Sequence, residues 1–119
     1  MPRVRMLTFP VGTSTVAVPL VQAREVVSGP VVTPLPTAPP GVLGLFDLHG
    51  QVVPLFDAGV LLGLGALEPG PPAYAAVVES HGLLAGLATR GPLAVLEAGA
   101  QPADGVTLLD LDVLLAVAR

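Results

Sequence analysis

The chain has 119 residues, of which 52% are hydrophobic and only 12% are charged, and this length suffices for one domain with a buried core. Its net charge is −4, with five arginines and no lysine, so it lacks the basic surface that nucleic-acid binding requires. The absence of cysteine excludes disulfide frameworks, thiolate nucleophiles and cysteine-based metal sites.

Two stretches without charged residues, 6–23 and 26–46, are long enough to raise the question of a membrane span. Both contain prolines, and a helix that loses several backbone hydrogen bonds could not cross a bilayer. The first residues lead into a strand pattern rather than into the apolar block of a signal peptide. We therefore expect a cytoplasmic protein that is not inserted in a membrane.

The first third of the chain is typical of short strands separated by turns. Val, Thr and Phe predominate in residues 3–11 and 15–20, which are predicted to be two strands joined by a turn at Gly12. Residues 21–27 fit either one helical turn or a bent strand. Residues 31–40 are interrupted by prolines and must be extended or at a sheet edge, because proline cannot donate to a sheet ladder.

The central stretch, residues 44–64, contains the clearest local signals. Residues 44–48 and 51–56 are short apolar runs on either side of His49-Gly50, which predicts a β-hairpin because glycine supplies the positive φ of a tight turn. Asp57 then stands where a helix N-cap is expected, and Gly63 is the expected stop for that short helix.

The second half repeats the pattern of strands and turns after a stiff linker at residues 68–72. Asp110 is predicted to cap a terminal helix that reaches residue 118. Further strands are predicted at residues 73–78, 82–88, 93–96 and 106–109. Many short strands with few helices indicate an all-β fold. We expect a single domain, residues 1–119, in two lobes divided near the linker, with the chain free to cross between them.

An internal sequence repeat supports two similar lobes. Residues 54–62 (PLFDAGVLL) align without a gap on residues 107–115 (TLLDLDVLL), and both segments read strand, capping Asp, helix. A hairpin precedes each copy, at Gly12 and at Gly82. The alternative is that such junctions recur by chance in a leucine-rich chain, but the match covers order as well as residue type.

Five segments in the right order resemble the CheW-like chemotaxis adaptors. They are residues 7–12 with 16–20, residues 25–27 (EVV), residues 33–39 (TPLPTAP), the central stretch, and residues 108–112 (LLDLD). The central stretch resembles the pattern Gly-x-x-Asn-Leu-Arg-Gly-x-x-Val-Pro-x-x-Asp of that family. The resemblance covers most of the chain and is best in residues 5–64.

The resemblance implies two small intertwined five-stranded β-barrels without catalytic activity, cofactor or bound metal. Such adaptors bridge the cytoplasmic tip of a chemoreceptor and the regulatory domain of a CheA-type histidine kinase. The implied protein-binding residues lie on two segments, one bordering the receptor groove and one forming the hallmark turn. They are Glu25, Val26 and Val27, and Asp47, Leu48, His49 and Gly50.

The chain departs from the family pattern in ways that bear on its partners. Asp47 and His49 stand where the family has Asn and Arg, so the turn lacks a permanent cation and a forked donor. The stretch between Leu96 and Val106 is also shorter than in the family, which leaves room for fewer strands in the second lobe.

Other functions have weaker support in the sequence. His49 and His81 lie in predicted turns without metal-ligand spacing, and Asp110 with Asp112 fits a helix cap and a first-turn acid better than an acid–base pair. No nucleophile has a neighbouring base, so we expect no enzyme. Three alternatives remain open: a structural homo-oligomer that associates through exposed apolar edges, a small-ligand binder, and a degenerate CheW-like protein without receptor binding. An adaptor could also serve a pilus or twitching pathway instead of chemotaxis.

Overall fold

A computed structural model describes residues 4–65, 72–98, 106–112 and 114. Within these ranges the chain forms short strands and very little helix, so the expected all-β class is confirmed. The strands are β1 (Val4–Val11), β2 (Ser14–Pro19), β3 (Ala23–Ser28), β4 (Val42–Leu48), β5 (Gln51–Phe56), β6 (Tyr74–Ser80), β7 (Leu83–Thr89), β8 (Ala94–Ala98) and β9 (Val106–Leu108). Helix α1 spans Ala58–Leu62, and a 3-10 turn spans Leu20–Gln22.

The strands form two sheets. The smaller sheet has the order β8-β1-β2-β9, and the larger has the order β3-β6-β7-β5-β4. The larger sheet thus has the expected five strands, while the smaller has four within the described residues. Each sheet contains strands from both sides of residues 68–72, so the two sheets are built from interleaved parts of the sequence. The assignment of residues 1–119 to one domain stays a prediction.

Two parallel pairings interlock the halves of the chain. Strand β5 pairs in parallel with β7, the second strand of the β6–β7 hairpin, through Leu55 and Gly86. Strand β9 pairs in parallel with β2, the second strand of the β1–β2 hairpin, through Thr15 and Val106. Each strand of the repeated unit therefore joins the hairpin from the other half of the chain, and this exchange is what makes the two sheets intertwined.

In the residues that the structure describes, both copies of the repeated segment have a strand followed by a capping Asp. Asp57 caps α1, because its Oδ1 accepts hydrogen bonds from the N–H groups of Gly59 and Val60 at 3.0 and 3.3 Å. Gly63 ends the helix in the left-handed conformation, with φ of 71°. In the second copy, Oδ1 of Asp110 accepts from the N–H group of Asp112 at 3.1 Å. Both predicted caps are confirmed.

Both copies of the repeat also contribute side chains to the same hydrophobic core. Equivalent positions of the two copies point into one apolar core between the sheets: Phe56 and Leu109, Ala58 and Leu111, Leu61 and Leu114. A second core, inside the larger sheet, is formed by Phe46, Leu48, Val53, Leu55, Ala75, Val77 and Ala88. Burial of these side chains is the main stabilising contribution, at about 1.5–3 kcal/mol for each large one.

A buried hydroxyl joins the two sheets. Thr89 at the end of β7 is fully buried, and its Oγ1 donates to the carbonyl oxygen of Pro10 in β1 at 2.8 Å. The same Oγ1 accepts from the N–H group of Gly91 at 3.1 Å. A buried hydroxyl without partners would be destabilising, so these contacts make the position specific for threonine or serine.

Several sequence predictions need correction or lie beyond the described residues. For residues 21–27 both interpretations hold in part, because a 3-10 turn comes first and β3 follows. The strand predicted at residues 82–88 lies at Leu83–Thr89, and that at 93–96 lies at Ala94–Ala98, since hydrophobicity alone does not mark which residues pair. Except for Pro72, the predicted linker at 68–72 falls outside the described residues. The start of the first predicted strand, at residue 3, and the predicted helix end at 118 also fall outside them. No helix in the described part of the chain is long and apolar enough to cross a membrane.

The turn between β6 and β7 is tied to the second copy of the repeat. Ser80 Oγ donates a hydrogen bond to Oδ1 of Asp112, and His81 Nε2 lies 3.2 Å from the same oxygen. The Ser80 hydroxyl, followed by the His81 imidazole, lowers the pKa of the Asp112 carboxyl below its ordinary value of 3.8. The ionised carboxylate therefore fastens the segment after β9 to the larger sheet.

Asp112→Asn is expected to lower the unfolding temperature at pH 7. Because the pKa of Asp112 is lower in the folded protein, the ionised group stabilises the fold above the unfolded-state pKa, near 4, and loses this effect as the pH falls through the folded value. The difference in unfolding temperature between wild type and variant should thus shrink below about pH 4. Glu97→Gln, which removes only an exposed pairing with Arg5, serves as the control. A difference that persists unchanged at low pH would contradict this role.

Two fragments, residues 1–65 and 72–119, are expected not to fold separately and to assemble when mixed. Each sheet needs strands from both fragments, so neither fragment alone can complete a sheet or its core. Circular dichroism and thermal unfolding of each fragment and of the equimolar mixture measure this. A cooperative thermal transition in either fragment alone would contradict the interleaved topology.

Candidate functional site

The candidate site is an open groove between the two outer strands of the larger sheet, β3 and β4. The sheet curls so that these outer strands approach each other, and the segment between them, residues 29–41, crosses from one to the other. The groove has a volume of about 650 Å³. It is lined by Val27, Gly29, Pro30, Val31, Thr33, Leu45, Phe46, Asp47 and Val52.

One end of the groove is held by main-chain hydrogen bonds. The N–H group of Thr33 donates to the carbonyl oxygen of Leu45 at 2.8 Å, and the N–H group of Leu45 donates to the carbonyl oxygen of Thr33 at 2.9 Å. A side chain at position 44 would disrupt this bridge, because a Cβ there would lie 2.3 Å from the oxygen of Thr33. Gly44 is therefore required for the approach of the crossing segment to β4.

A side-chain contact spans the gap between β3 and the β4–β5 turn. Nε2 of His49 lies 2.9 Å from Oε1 of Glu25, although the residues are 24 positions apart in the sequence. The structure thus brings the two predicted binding segments together. The side chains remain accessible, with relative exposures of 78% for His49 and 38% for Glu25.

The turn that carries His49 has an uncommon backbone. His49 and Gly50 both have positive φ, 51° and 87°, which matches the two-residue turn that fits the twist of a hairpin. The N–H group of Gly50 donates to Oδ2 of Asp47 at 3.3 Å. The predicted hairpin is confirmed, and the imidazole at its turn lies beside the Glu25 side chain of β3.

The seven predicted residues do not all face the groove. Val27 packs against the core beneath the groove, whereas Val26 points to the other side of β3, where 42% of it is exposed. Leu48 is buried in the core of the larger sheet. Asp47 lines the groove, and Gly50 lies at the open turn with no atom near its Cβ position. The binding role of all seven stays a prediction.

Much of the apolar lining of the groove is not among the residues predicted from the sequence. Val31 and Val52 are 85% and 65% exposed, which is unusual for valine. Val52 and Val53 are adjacent valines in β5, and in a half-buried strand one member of such a pair must point outward, which was a signal in the sequence. Val31 lies in the irregular segment between β3 and β4, where alternation gives no signal.

The rim of the groove carries more negative than positive charge. Glu25 and Asp47 contribute carboxylates, and His49 contributes an imidazole that is charged only when protonated. Arg24, the neighbour of Glu25, is paired instead with Glu79 of β6, with 3.0 Å between Nε and Oε2. An apolar groove with an acidic rim suits an apolar partner surface that carries a cation.

Nothing in the described ranges groups three or more His, Asp or Glu side chains as a metal site would require. His81, the other candidate ligand, contacts Asp112 at a different turn of the larger sheet.

Comparison with known proteins identifies the family. Residues 5–112 match the CheW-like domain. The chain is 38% identical over 64 residues to "Chemotaxis protein CheW" of Rhizobium meliloti (strain 1021), a match that covers 54% of this chain and 41% of that protein.

The fold has a counterpart among solved structures. The crystal structure of the scaffolding protein TtCheW from Thermoanaerobacter tengcongensis superposes with a TM-score of 0.68 at 24% identity. The superposition covers 81% of this chain and 64% of that one, so the chain spans less than two thirds of either relative. From the match over residues 5–112 and the shared all-β fold, the chain belongs to the CheW-like domain family.

Proposed function

We propose that this chain is a non-catalytic adaptor that couples chemoreceptors to a CheA-type histidine kinase in a chemosensory pathway. The observation that carries the proposal is an apolar groove with exposed valines, in a chain of the CheW-like family. The names of the two relatives, a chemotaxis protein and a scaffolding protein, support the same role.

The docking would be largely apolar. Val31 and Val52 both line the groove and are exposed, so a partner that covers both would bury two side chains now in contact with water. We assign the groove and β3 to the cytoplasmic tip of the receptor, and the Asp47–Gly50 turn to the junction with the kinase regulatory domain. Both partners place the adaptor in the cytoplasm.

The arrangement of hydroxyl, imidazole and carboxylate supports an absence of catalysis. Ser80, His81 and Asp112 lie together, which corrects the expectation that no nucleophile has a neighbouring base, but Ser80 Oγ and His81 Nε2 both contact the same oxygen of Asp112. A nucleophilic triad needs the imidazole between the hydroxyl and the carboxylate, so that it can accept the hydroxyl proton. This cluster instead fastens two structural elements.

A second candidate function is self-association of a structural homo-oligomer. The observation that favours it is the outer strand β8, where the adjacent residues Val95 and Leu96 are 55% and 49% exposed. Light scattering distinguishes the two functions, because a strictly monomeric protein at high concentration contradicts the oligomer.

Val31→Asp is expected to weaken binding to the receptor tip by about tenfold or more, the loss expected when a valine that the partner buries becomes a charge. Calorimetric titration of the purified proteins measures the affinity.

The matched control is Val21→Asp, because Val21 is equally exposed, at 85%, and lies on the 3-10 turn outside the groove lining. It should bind like the wild type. Equal affinity of both variants would argue against docking in the groove, and a folded wild type that binds neither partner would refute the adaptor function.

A further inference from the structure

The contact between His49 and Glu25 places a carboxylate and an imidazole beside the apolar lining of the groove. We propose that the groove binds a partner segment with a basic side chain beside its apolar ones, and that this side chain displaces His49 from Glu25. His49 then acts as an internal substitute for the partner's cation. The inference rests on the proposed adaptor function and specifies the chemistry of its docking partner.

The position of Glu25 makes its carboxylate available to an occupant of the groove. From Glu25 to Ser28 the pairing of β3 with β6 is regular, so Glu25 points to the same side of the strand as Val27, two residues on. Val27 lines the groove. A partner that covers Val27 therefore comes within reach of the Glu25 carboxylate.

His49 can leave without disturbing the fold. The His49 side chain is 78% exposed. The backbone conformation of His49 is set by the turn and not by packing of the imidazole. Rotation of the imidazole away from Glu25 would break one exposed contact of 2.9 Å, and exposed ion pairs of this kind contribute little to stability.

A basic side chain of the partner would bind Glu25 better than His49 does. Arginine carries a permanent charge and can donate two parallel hydrogen bonds to a carboxylate, whereas an imidazole offers a single nitrogen at a time. Asp47 in the groove lining adds a second negative charge for the same cation. Burial of the apolar side chains would exclude water and strengthen the new ion pair.

The opposite possibility, that His49 itself touches the partner, predicts the opposite effect of its removal. If His49 competes with the partner, its loss tightens binding, whereas if it contacts the partner, its loss weakens binding. The sign of one affinity change therefore separates the two.

The experiment measures binding of a chemoreceptor cytoplasmic tip fragment, from the organism that encodes the chain, by calorimetric titration. His49→Asn is the informative variant, because asparagine tolerates positive φ and is too short to replace the imidazole. We expect it to bind about two- to fivefold more tightly, the range that loss of one exposed ion pair allows. Glu25→Gln should bind about tenfold more weakly or worse, the weak end of the range for a charge pair buried in an interface.

The matched control is His81→Asn. His81 has almost the same backbone, with φ of 52°, and also contacts a carboxylate, but at the β6–β7 turn. It should leave affinity unchanged. In the double variant, His49→Asn should have no further effect once Glu25 is Gln. Each arginine and lysine of the receptor tip is also replaced singly by Gln. One of these replacements should weaken binding to the wild-type chain but not to the Glu25→Gln variant.

Each other outcome overturns the proposal. Weaker or unchanged binding by His49→Asn, unchanged binding by Glu25→Gln, or the lack of any coupled basic residue would refute the displacement while leaving the adaptor function intact. If neither wild type nor His49→Asn, both folded by circular dichroism, binds the tip or the kinase regulatory domain, the adaptor function and this inference both fail.

Discussion

The parallel pairing of β5 with β7 and of β9 with β2 is the constraint on which the rest of the structure depends. It inserts each capped strand–helix unit into the sheet built by the other half of the chain. As a result, Phe56 and Leu109 meet in one core, although they come from different copies of the repeat. A parallel strand cannot be supplied by a short hairpin, so the exchange of units is how the chain provides one to each sheet.

The same pairing creates the groove. Because β5 joins β7, its hairpin partner β4 becomes an outer strand, and β3 forms the opposite outer strand by pairing with β6. The chain must then cross from β3 to β4, and the proline-rich segment 29–41 makes that crossing as one wall of the groove. The prolines fit this position since, among the described residues, the segment pairs with a strand only at the isolated bridge between Thr33 and Leu45.

Local features were predictable from the sequence, and long-range ones were not. The His49-Gly50 turn and the caps at Asp57 and Asp110 follow from residue types a few positions apart, and the structure contains all three. Which hairpin receives β5 or β9 depends on pairing between distant segments, for which the sequence carries no local signal. The contact of His49 with Glu25 was hidden for the same reason, whereas the exposed valines were overlooked because adjacent apolar residues resemble a buried strand.

The residue at position 49 links the fold to the proposed activity. The hairpin needs only positive φ there, and histidine meets that need, so the change from the family's arginine leaves the turn intact. What changes is the charge of the side chain, and His49 contacts Glu25 within the molecule. The family thus accounts for the fold, whereas the proposed docking chemistry rests on a position at which this chain departs from the family pattern.

The most direct test of docking in the groove is to record backbone amide NMR spectra of the ¹⁵N-labelled chain while the receptor tip is added. The account predicts that the perturbed amides lie in residues 25–33 and 45–52, on both sides of the groove. Perturbations confined to β8 and β9 at the outer edges of the smaller sheet, with the groove amides unchanged, would contradict it.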